Sequence, residues 1–129
     1  MALGDGREVW SFKTDGAVKS SPVIASGRVY VGSNDDHVYC LNLADGSLVW
    51  KYKTGDLVLA RPWVEGRVVY AGSYDGVIYA LDAAEGTLLD QFDTAGAIYS
   101  SPVGDGNHVY FGTNRGDFIC LRNYAKKSS

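Results

Sequence analysis

Histidine and cysteine, the side chains that most often ligate metals or act as nucleophiles, are scarce in this chain. The two histidines, His37 and His108, and the two cysteines, Cys40 and Cys120, are far apart and fit no metal-ligand spacing. We interpret the histidines as ordinary, partly exposed residues. We expect both cysteines to be buried free thiols, because a free cysteine behaves as a small apolar side chain.

Two short motifs suggest ligand chemistry on first inspection. The stretch Asn-Asp-Asp-His at 34–37 offers oxygen atoms of the kind that calcium prefers, and residues 115–117 spell the adhesion tripeptide Arg-Gly-Asp. We interpret both as hairpin turns, because related stretches elsewhere in the chain do not keep the acidic pattern. No nucleophile elbow, phosphate loop or paired-histidine motif is present. The sequence therefore predicts no enzyme activity, no metal and no cofactor.

Composition sets the class of protein. The 129 residues suffice for one domain, and 46% hydrophobic with 21% charged residues is an ordinary globular balance. A net charge of −3 gives no basic field for nucleic acid, and no apolar run approaches the length of a membrane span. The first ten residues show no secretion signal, which leaves the compartment open.

The chain repeats itself every 40 residues. Alignment of Pro22, Pro62 and Pro102 also superposes five further sets of identical residues without a gap, among them the Gly6, Thr14, Tyr30, Gly32 and Leu41 sets. A strand-rich unit of this length is typical of a β-propeller blade.

One repeat unit contains four predicted strands, at 19–25, 28–33, 37–42 and 47–54. The second and third strands are apolar on both faces, which indicates a sheet covered on both sides. The fourth strand places Trp50 and Tyr52 on one face and Lys51 and Lys53 on the other, as an exposed sheet edge does.

The predicted fold is an all-β propeller with three four-stranded antiparallel blades, in a single domain at 1–129. The units run at about 6–45, 46–85 and 86–122, and a strand at 8–14 supplies the outer strand of the last blade. Three blades are too few for a ring. The chain therefore either closes a six-bladed ring with a second copy, which we favour, or is a fragment of a larger propeller.

The motif A-x-D-x-x-x-G-x-x-x-W resembles the tryptophan-docking motif of PQQ-like propeller repeats, and the resemblance covers residues 4–123. It implies that Trp10 and Trp50 pack between adjacent blades. The motif occurs as Cys40-Leu41-Asn42 with Gly46 and Trp50, and as Ala80-Leu81-Asp82 with Gly86 and Asp90. Because Asp90 replaces a tryptophan, we expect either a looser blade boundary there or a boundary that faces something else.

The resemblance implies two functional classes. One is a non-catalytic interaction module, as in the propeller lipoprotein of outer-membrane barrel assembly, which binds a protein or peptide. The alternative is a quinone- or sugar-binding fragment of a quinoprotein-type dehydrogenase, although the acidic calcium site and adjacent cysteines of those enzymes are not identifiable. The predicted binding residues lie in loops at one face of the propeller: Lys19, Asn34, Arg61, Tyr74, Tyr99, Asn114 and Arg115.

Overall fold

A computed structural model describes residues 8–124, and all eleven assigned elements in that range are β-strands. The predicted all-β propeller fold is confirmed. The strands are β1 (Val23–Ala25), β2 (Arg28–Gly32), β3 (His37–Asn42), β4 (Leu48–Lys53), β5 (Trp63–Glu65), β6 (Val68–Gly72), β7 (Val77–Asp82), β8 (Leu88–Asp93), β9 (Val103–Gly104), β10 (His108–Gly112) and β11 (Phe118–Arg122).

The strands form three antiparallel meanders, which we call blades 1, 2 and 3. Blade 1 has the order β1-β2-β3-β4 and blade 2 the order β5-β6-β7-β8, whereas blade 3 contains β9, β10 and β11 only. The same cross-strand pairing recurs in each blade, with Tyr30 opposite Cys40, Tyr70 opposite Ala80 and Tyr110 opposite Cys120. The 40-residue period of the sequence is therefore also the period of the structure.

Tight turns join the strands where the sequence provides residues that accept a positive φ angle. Ser26 and Gly27 have φ angles of 52° and 74° between β1 and β2, which matches a two-residue hairpin turn. Between the second and third strands, Asp36, Gly76 and Gly116 take φ angles of 72°, 89° and 88°.

The first strand of blade 1 is shorter than predicted. The prediction was 19–25, but β1 contains only Val23–Ala25. The reason is that Pro22 lacks an N–H group for the ladder, and that the chain before it turns toward blade 2, where the hydroxyl of Ser20 donates to the carbonyl of Ala60 at 3.1 Å.

Residues 8–14, predicted to be a strand, are not a strand in the single chain. The segment instead packs against blade 1, where Trp10 and Phe12 lie on the cluster of Val31, Tyr39 and Leu41. A strand needs a hydrogen-bonded neighbour, and the predicted neighbour is the third strand of blade 3 rather than any strand of blade 1. Residues 6 and 7, where the first predicted unit begins, lie outside the described residues.

The apolar core lies between the blades rather than within one sheet. Between blades 1 and 2 it includes Val38, Val58 and Leu81, each with no exposed surface. Between blades 2 and 3 it includes Ile98, Val109 and Phe111, each at most 1% exposed. Both faces of blade 2 are therefore covered, as the apolar pattern of its sequence predicts.

Candidate functional site

Tryptophan side chains join neighbouring blades, as the resemblance implies. Trp50 of β4 lies against Gly86 of blade 2 and donates from Nε1 to the carbonyl of Ala83 at 2.9 Å. A Cβ atom at Gly86 would lie 2.4 Å from the indole Cδ2 atom, so only glycine leaves room for the ring.

The segment before blade 1 repeats this geometry. The Trp10 Nε1 atom donates to the carbonyl of Leu43 at 3.0 Å, and a Cβ atom at Gly46 would lie 2.3 Å from the Trp10 ring. The rings of Phe12 and Tyr39 are 5.6 Å apart, as are those of Tyr52 and Tyr79 one repeat later. Residues 8–14 therefore occupy the position of an outer strand from a preceding blade.

A tyrosine–aspartate pair forms a second link at the same two junctions. Asp35 accepts hydrogen bonds from the Tyr39 hydroxyl and from the backbone N–H of Asp15 at 3.1 Å. In the next repeat Asp75 accepts from the Tyr79 hydroxyl at 2.5 Å and from the backbone N–H of Gly55 at 2.9 Å.

Burial and hydrogen bonding perturb the pKa values of this pair. Burial raises the pKa of Asp35, but the hydrogen bonds from Tyr39 and the backbone outweigh burial, so the net pKa is lowered. Burial, together with the hydrogen bond to the neighbouring carboxylate, raises the pKa of both Tyr39 and Tyr79 well above the usual range. Near neutral pH the Asp35 carboxylate is therefore ionised and the Tyr39 and Tyr79 hydroxyls are protonated, which is the state that these structural hydrogen bonds require.

The junction between blades 2 and 3 is built differently. Asp90 replaces the docking tryptophan, Ile119 replaces the tyrosine of the second link, and Arg115 replaces its aspartate. In their place the Tyr70 hydroxyl donates to Oδ1 of the buried Asn123 and accepts from the backbone N–H of Tyr124 at 2.6 Å. These hydrogen bonds of Tyr70 replace the tryptophan and the tyrosine–aspartate pair of the other junctions, and whether this boundary is looser stays a prediction.

A groove of about 200 Å³ opens at this junction. Its base includes Tyr70, Ile78 and Ala80, and its rim includes Asp90 and Phe92 of β8. The residues equivalent to the base in blade 1 are Tyr30, Val38 and Cys40, which lie beneath the indole of Trp50. The groove therefore occupies the place that a tryptophan side chain fills one repeat earlier.

The outward face of blade 3 is exposed where the equivalent faces of blades 1 and 2 are buried. Phe118 is 77% exposed, whereas the corresponding Val38 and Ile78 are 0% and 3% exposed. The expectation that both cysteines are buried is wrong for Cys120, which is exposed, while Cys40 is buried. The reason is that no described residue covers this face of blade 3.

The loops that carry the predicted binding residues meet in pairs. Backbone hydrogen bonds link the two loops of each unit, from Asn34 to Ala17 at 2.9 Å and from Tyr74 to Leu57 at 2.8 Å. In the last unit Asn114 donates from its backbone to Ala97 and accepts from it through Oδ1 at 2.9 Å.

The structure brings two of the predicted residues together directly. The rings of Tyr74 and Tyr99 are 6.0 Å apart and are 40% and 55% exposed. Lys19, Arg61 and Arg115 are exposed, and the Arg61 backbone N–H donates to Ser101 Oγ at 3.0 Å. Asn34 has a buried Oδ1 atom with no hydrogen-bond partner among the described residues.

The dehydrogenase alternative implies an acidic calcium site and an adjacent pair of cysteines, and neither is identifiable within residues 8–124. In that range no three histidine, cysteine or acidic side chains are grouped to hold a metal. Cys40 and Cys120 lie in blades 1 and 3, so they are not the adjacent pair that the resemblance implies.

A second cleft, of about 280 Å³, lies between blades 1 and 2 at the face opposite the loops that carry the predicted binding residues. Arg28 and Arg67 line it, and the Arg28 guanidinium donates to the carbonyls of Ala83 and Ala84 at 3.3 and 3.0 Å. Arg28 therefore bridges the blades.

Sequence reasoning found Asp90 but missed Ile119, and it named Arg115 only as a loop binding residue, without connecting either to the change at Asp90. Ile119 and Arg115 depart from the repeat as clearly as Asp90 does, and the 40-residue alignment contains that signal. Asn123 lies beyond the predicted last unit, so its role was not visible. Its equivalents Leu43 and Ala83 show no polar pattern that would have indicated it.

Antiparallel blades stacked face to face, with a tryptophan docked on a glycine of the next blade, define a β-propeller of PQQ-like repeats. Residues 55–129 match the PQQ_2 family model, which describes the outer membrane protein assembly factor BamB. Because this match covers more than half of the sequence, the chain belongs to that family. A comparison with curated protein sequences found no match.

Solved structures share the fold. BamB from Moraxella catarrhalis has a TM-score of 0.78 and 20% identity, over 88% of this chain and 36% of that one. The quinohemoprotein alcohol dehydrogenase ADHIIG from Pseudomonas putida HK5 has a TM-score of 0.81 and 25% identity, over 88% of this chain and 20% of that one. The quinohemoprotein alcohol dehydrogenase from Comamonas testosteroni has a TM-score of 0.71 and 23% identity, over 81% of this chain and 18% of that one. The chain thus spans 18–36% of the length of these three proteins.

Within residues 8–124 there is no helix with the length and apolar character that crossing a bilayer requires.

Proposed function

We propose that the chain is a non-catalytic interaction module that self-associates through its terminal blades and binds a polypeptide partner on the loop face. Membership of the family of BamB, an outer membrane protein assembly factor, supports a partner of polypeptide chemistry.

The observation that carries this proposal is the bare face of blade 3. Phe118 and Val103 are 77% and 54% exposed, although their equivalents in the other blades include the fully buried Val38. Exposed apolar surfaces of this kind commonly mark protein interfaces. A second copy offers a matching surface, since its residues 8–14 already lie in the position of an outer strand without a sheet of their own.

Self-association is tested by the mass of the purified chain in solution. Light scattering should give about twice 13.9 kDa for a two-copy ring. A stable monomer at micromolar concentration, with blade 3 still folded, would contradict the proposal.

The loop face is proposed as the partner surface because it combines exposed aromatic and cationic side chains on a rigid scaffold. Tyr74 and Tyr99 form a ring pair beside a loop that carries Arg61, and tyrosine and arginine are the common anchors of protein interfaces. Lys19 and Arg115 add positive charge in neighbouring loops.

Photo-crosslinking tests this surface. A benzophenone amino acid at Tyr74 should capture a defined polypeptide in the producing cell, and the capture should be lost in the Arg61→Ala variant. The same probe at Glu85, and the Arg67→Ala variant, are the matched controls, because both residues are exposed at the opposite face. Equal capture from Tyr74 and Glu85, or capture that Arg61→Ala leaves unchanged, would refute the assignment.

A further inference from the structure

The cleft between blades 1 and 2 lies where blade 1 has smaller residues than blade 2. At the junction of blades 2 and 3, Trp63 and Glu65 of β5 lie against Gly104, and the Trp63 Nε1 atom donates to the Glu65 carboxylate at 3.0 Å. The equivalents of these two side chains in blade 1 are Val23 and Ala25. An indole and a carboxylate therefore fill one junction, whereas the other contains a cleft of about 280 Å³.

Two arginine side chains line this cleft, one from each blade. Arg28 is half-buried, and its Nη1 atom donates to the carbonyls of Ala83 and Ala84, which holds the guanidinium in position. The guanidinium has three further N–H donors, on Nη2 and Nε. Arg67 is exposed, and within residues 8–124 neither arginine forms an ion pair.

The acidic residues near the cleft are directed elsewhere. Glu65 lies on the other face of β5, against blade 3. The Asp82 carboxylate accepts from the backbone N–H groups of Ala84 and Glu85 at 2.8 and 3.1 Å, and Glu85 is exposed. No acidic side chain of the described residues lines the cleft. Two guanidinium groups without a carboxylate between them favour a bound anion.

The turn between β1 and β2 adds a hydroxyl group to the same wall as Arg28. Ser26 lines the cleft with a φ angle of 52°, whereas the equivalent positions hold Gly66 and Gly106. A positive φ angle is uncommon for a residue other than glycine, and such residues are often found at functional sites. Ser26 and Arg28 thus both depart from the repeat at this cleft.

We propose that the cleft binds a small molecule whose carboxylate or phosphate group pairs with Arg28 and Arg67. The chain itself shows the chemistry, because its own Glu65 carboxylate fills the equivalent junction one repeat later. Val64 and Ala83 provide an apolar wall for the rest of the ligand. Ligand pockets usually measure ~300–1,000 Å³, so the volume of this cleft fits a small ligand.

This site lies within one chain, at the face opposite the predicted binding loops. It requires neither the second copy nor the polypeptide partner of the proposed function. Arg67 belongs to this site and not to the loop face, so the two proposals fail or succeed separately.

Binding is tested by titrating the isotope-labelled full chain and following its backbone amide signals by NMR. Benzoate and phenyl phosphate, in a low-chloride buffer, should each shift the signals of Ser26, Gly66 and Arg67 saturably. Uncharged benzamide should bind at least about tenfold more weakly than benzoate, because it lacks the oxyanion. The tighter of the two anions identifies the ligand class as carboxylate or phosphate.

Arg67→Gln should weaken binding of the tighter anion at least about tenfold, because one charged donor is lost. The melting temperature should not fall, since the Arg67 side chain is exposed and forms no ion pair within residues 8–124. Lys51→Gln is the matched control. It removes the same charge from an exposed residue of β4, and it should bind like wild type.

Ala25→Glu places in the cleft the carboxylate that the next repeat has at Glu65. It should therefore weaken binding of the anion at least about tenfold while the chain stays folded. Ala44→Glu is the matched control, because it adds the same charge in an exposed turn that does not line the cleft, and its affinity should stay within about twofold of wild type. If Ala25→Glu does not fold, the Arg67→Gln result still decides the question.

Four results would overturn the proposal. Equal affinity of wild type and Arg67→Gln would place the anion elsewhere. Equal affinity for benzoate and benzamide would show that the cleft does not recognise the charge. Inorganic phosphate that binds as tightly as phenyl phosphate would show an ion site that does not use the apolar wall. Absence of saturable shifts with either anion would leave the cleft without this ligand.

Discussion

The carboxylate of Asp35 accepts three hydrogen bonds, as do those of Asp75 and Asp105. Asp35 accepts from the Tyr39 hydroxyl and from the backbone N–H of Asp15 and His37, both at 3.1 Å, and its side chain is 8% exposed. Hydrogen bonds to a charged group stabilise more than neutral ones do, and a buried carboxylate without them is costly. Asp35 therefore ties the segment before blade 1 to the turn between β2 and β3.

Replacing Asp35 with asparagine should cost about 2 kcal/mol of unfolding free energy at pH 7, because charge-assisted bonds are lost. The folded pKa of Asp35 is lowered, so its contribution is present above the unfolded pKa of about 3.9 and is lost as the pH falls through the folded value. Urea titration should therefore show a difference in unfolding free energy between wild type and Asp35→Asn, and this difference should shrink below about pH 4.

Asp36→Asn serves as the control, because the Asp36 carboxylate makes only an exposed 3.6 Å ion pair with Lys53. Its effect should stay below about 0.5 kcal/mol. A gap for Asp35→Asn that is the same at pH 7 and pH 3 would contradict the assignment of the hydrogen bonds to the ionised form.

At the scale of the element, the unit that recurs is a strand whose tryptophan docks on the next blade. The indole requires a glycine beneath it, and the turn around that glycine requires a positive φ angle. Gly86 meets both demands, with a φ angle of 76° and the Trp50 ring against its Cα atom.

Gly86→Ala and Gly66→Ala separate these two demands. Both glycines have positive φ angles, but a Cβ atom at Gly66 meets nothing within 4 Å. Gly66→Ala should cost about 1 kcal/mol from backbone strain alone, and Gly86→Ala should cost about 1–3 kcal/mol more because the indole must move. Denaturant unfolding measures both, and equal losses would show that the ring does not depend on the glycine.

The strands show how far the sequence determines an element. β3 lies exactly where the apolar pattern placed it, at His37–Asn42, because its bounds follow from local turns and burial on both faces. Residues 8–14 have the same strand pattern as β4, yet they are not a strand in the single chain. A strand forms only where a neighbouring strand accepts its hydrogen bonds. The sequence pattern indicates which side chains share one face of a strand, but it does not indicate whether a neighbouring strand is present.

The candidate sites could be predicted from the sequence to different degrees. A site that depends on the type of one residue is visible in the sequence, whereas a site that depends on a neighbouring blade is not. Asp90 was visible as a departure from the repeat, whereas the groove beside it depends on the simultaneous change at Ile119 and on the position of Tyr124. The loop residues were identified by type, but only coordinates place Tyr74 beside Tyr99. The exposure of Cys120 could not be inferred, because it depends on what lies beside the blade rather than on the blade.

At the scale of the whole molecule, the decisive feature is the asymmetry between the two outer surfaces. The outer face of blade 1 is covered by Trp10 and Phe12, whereas the outer face of blade 3, which carries Phe118, is exposed. If a second copy covers that face, folding and association are coupled, and the melting temperature must rise with protein concentration.

Phe118→Glu should abolish that rise and give a monomer by light scattering, because a charge would be buried without a partner in the contact. Leu48→Glu is the control: it places the same charge at a residue that is 44% exposed on the outer strand of blade 1, and it should keep the concentration dependence. In the monomer Phe118 is open to water, so the substitution should leave the dilute-limit melting temperature within a few degrees of wild type. A wild-type melting temperature that does not change over a hundredfold range of concentration would mean that the open face of blade 3 is not closed by a second copy.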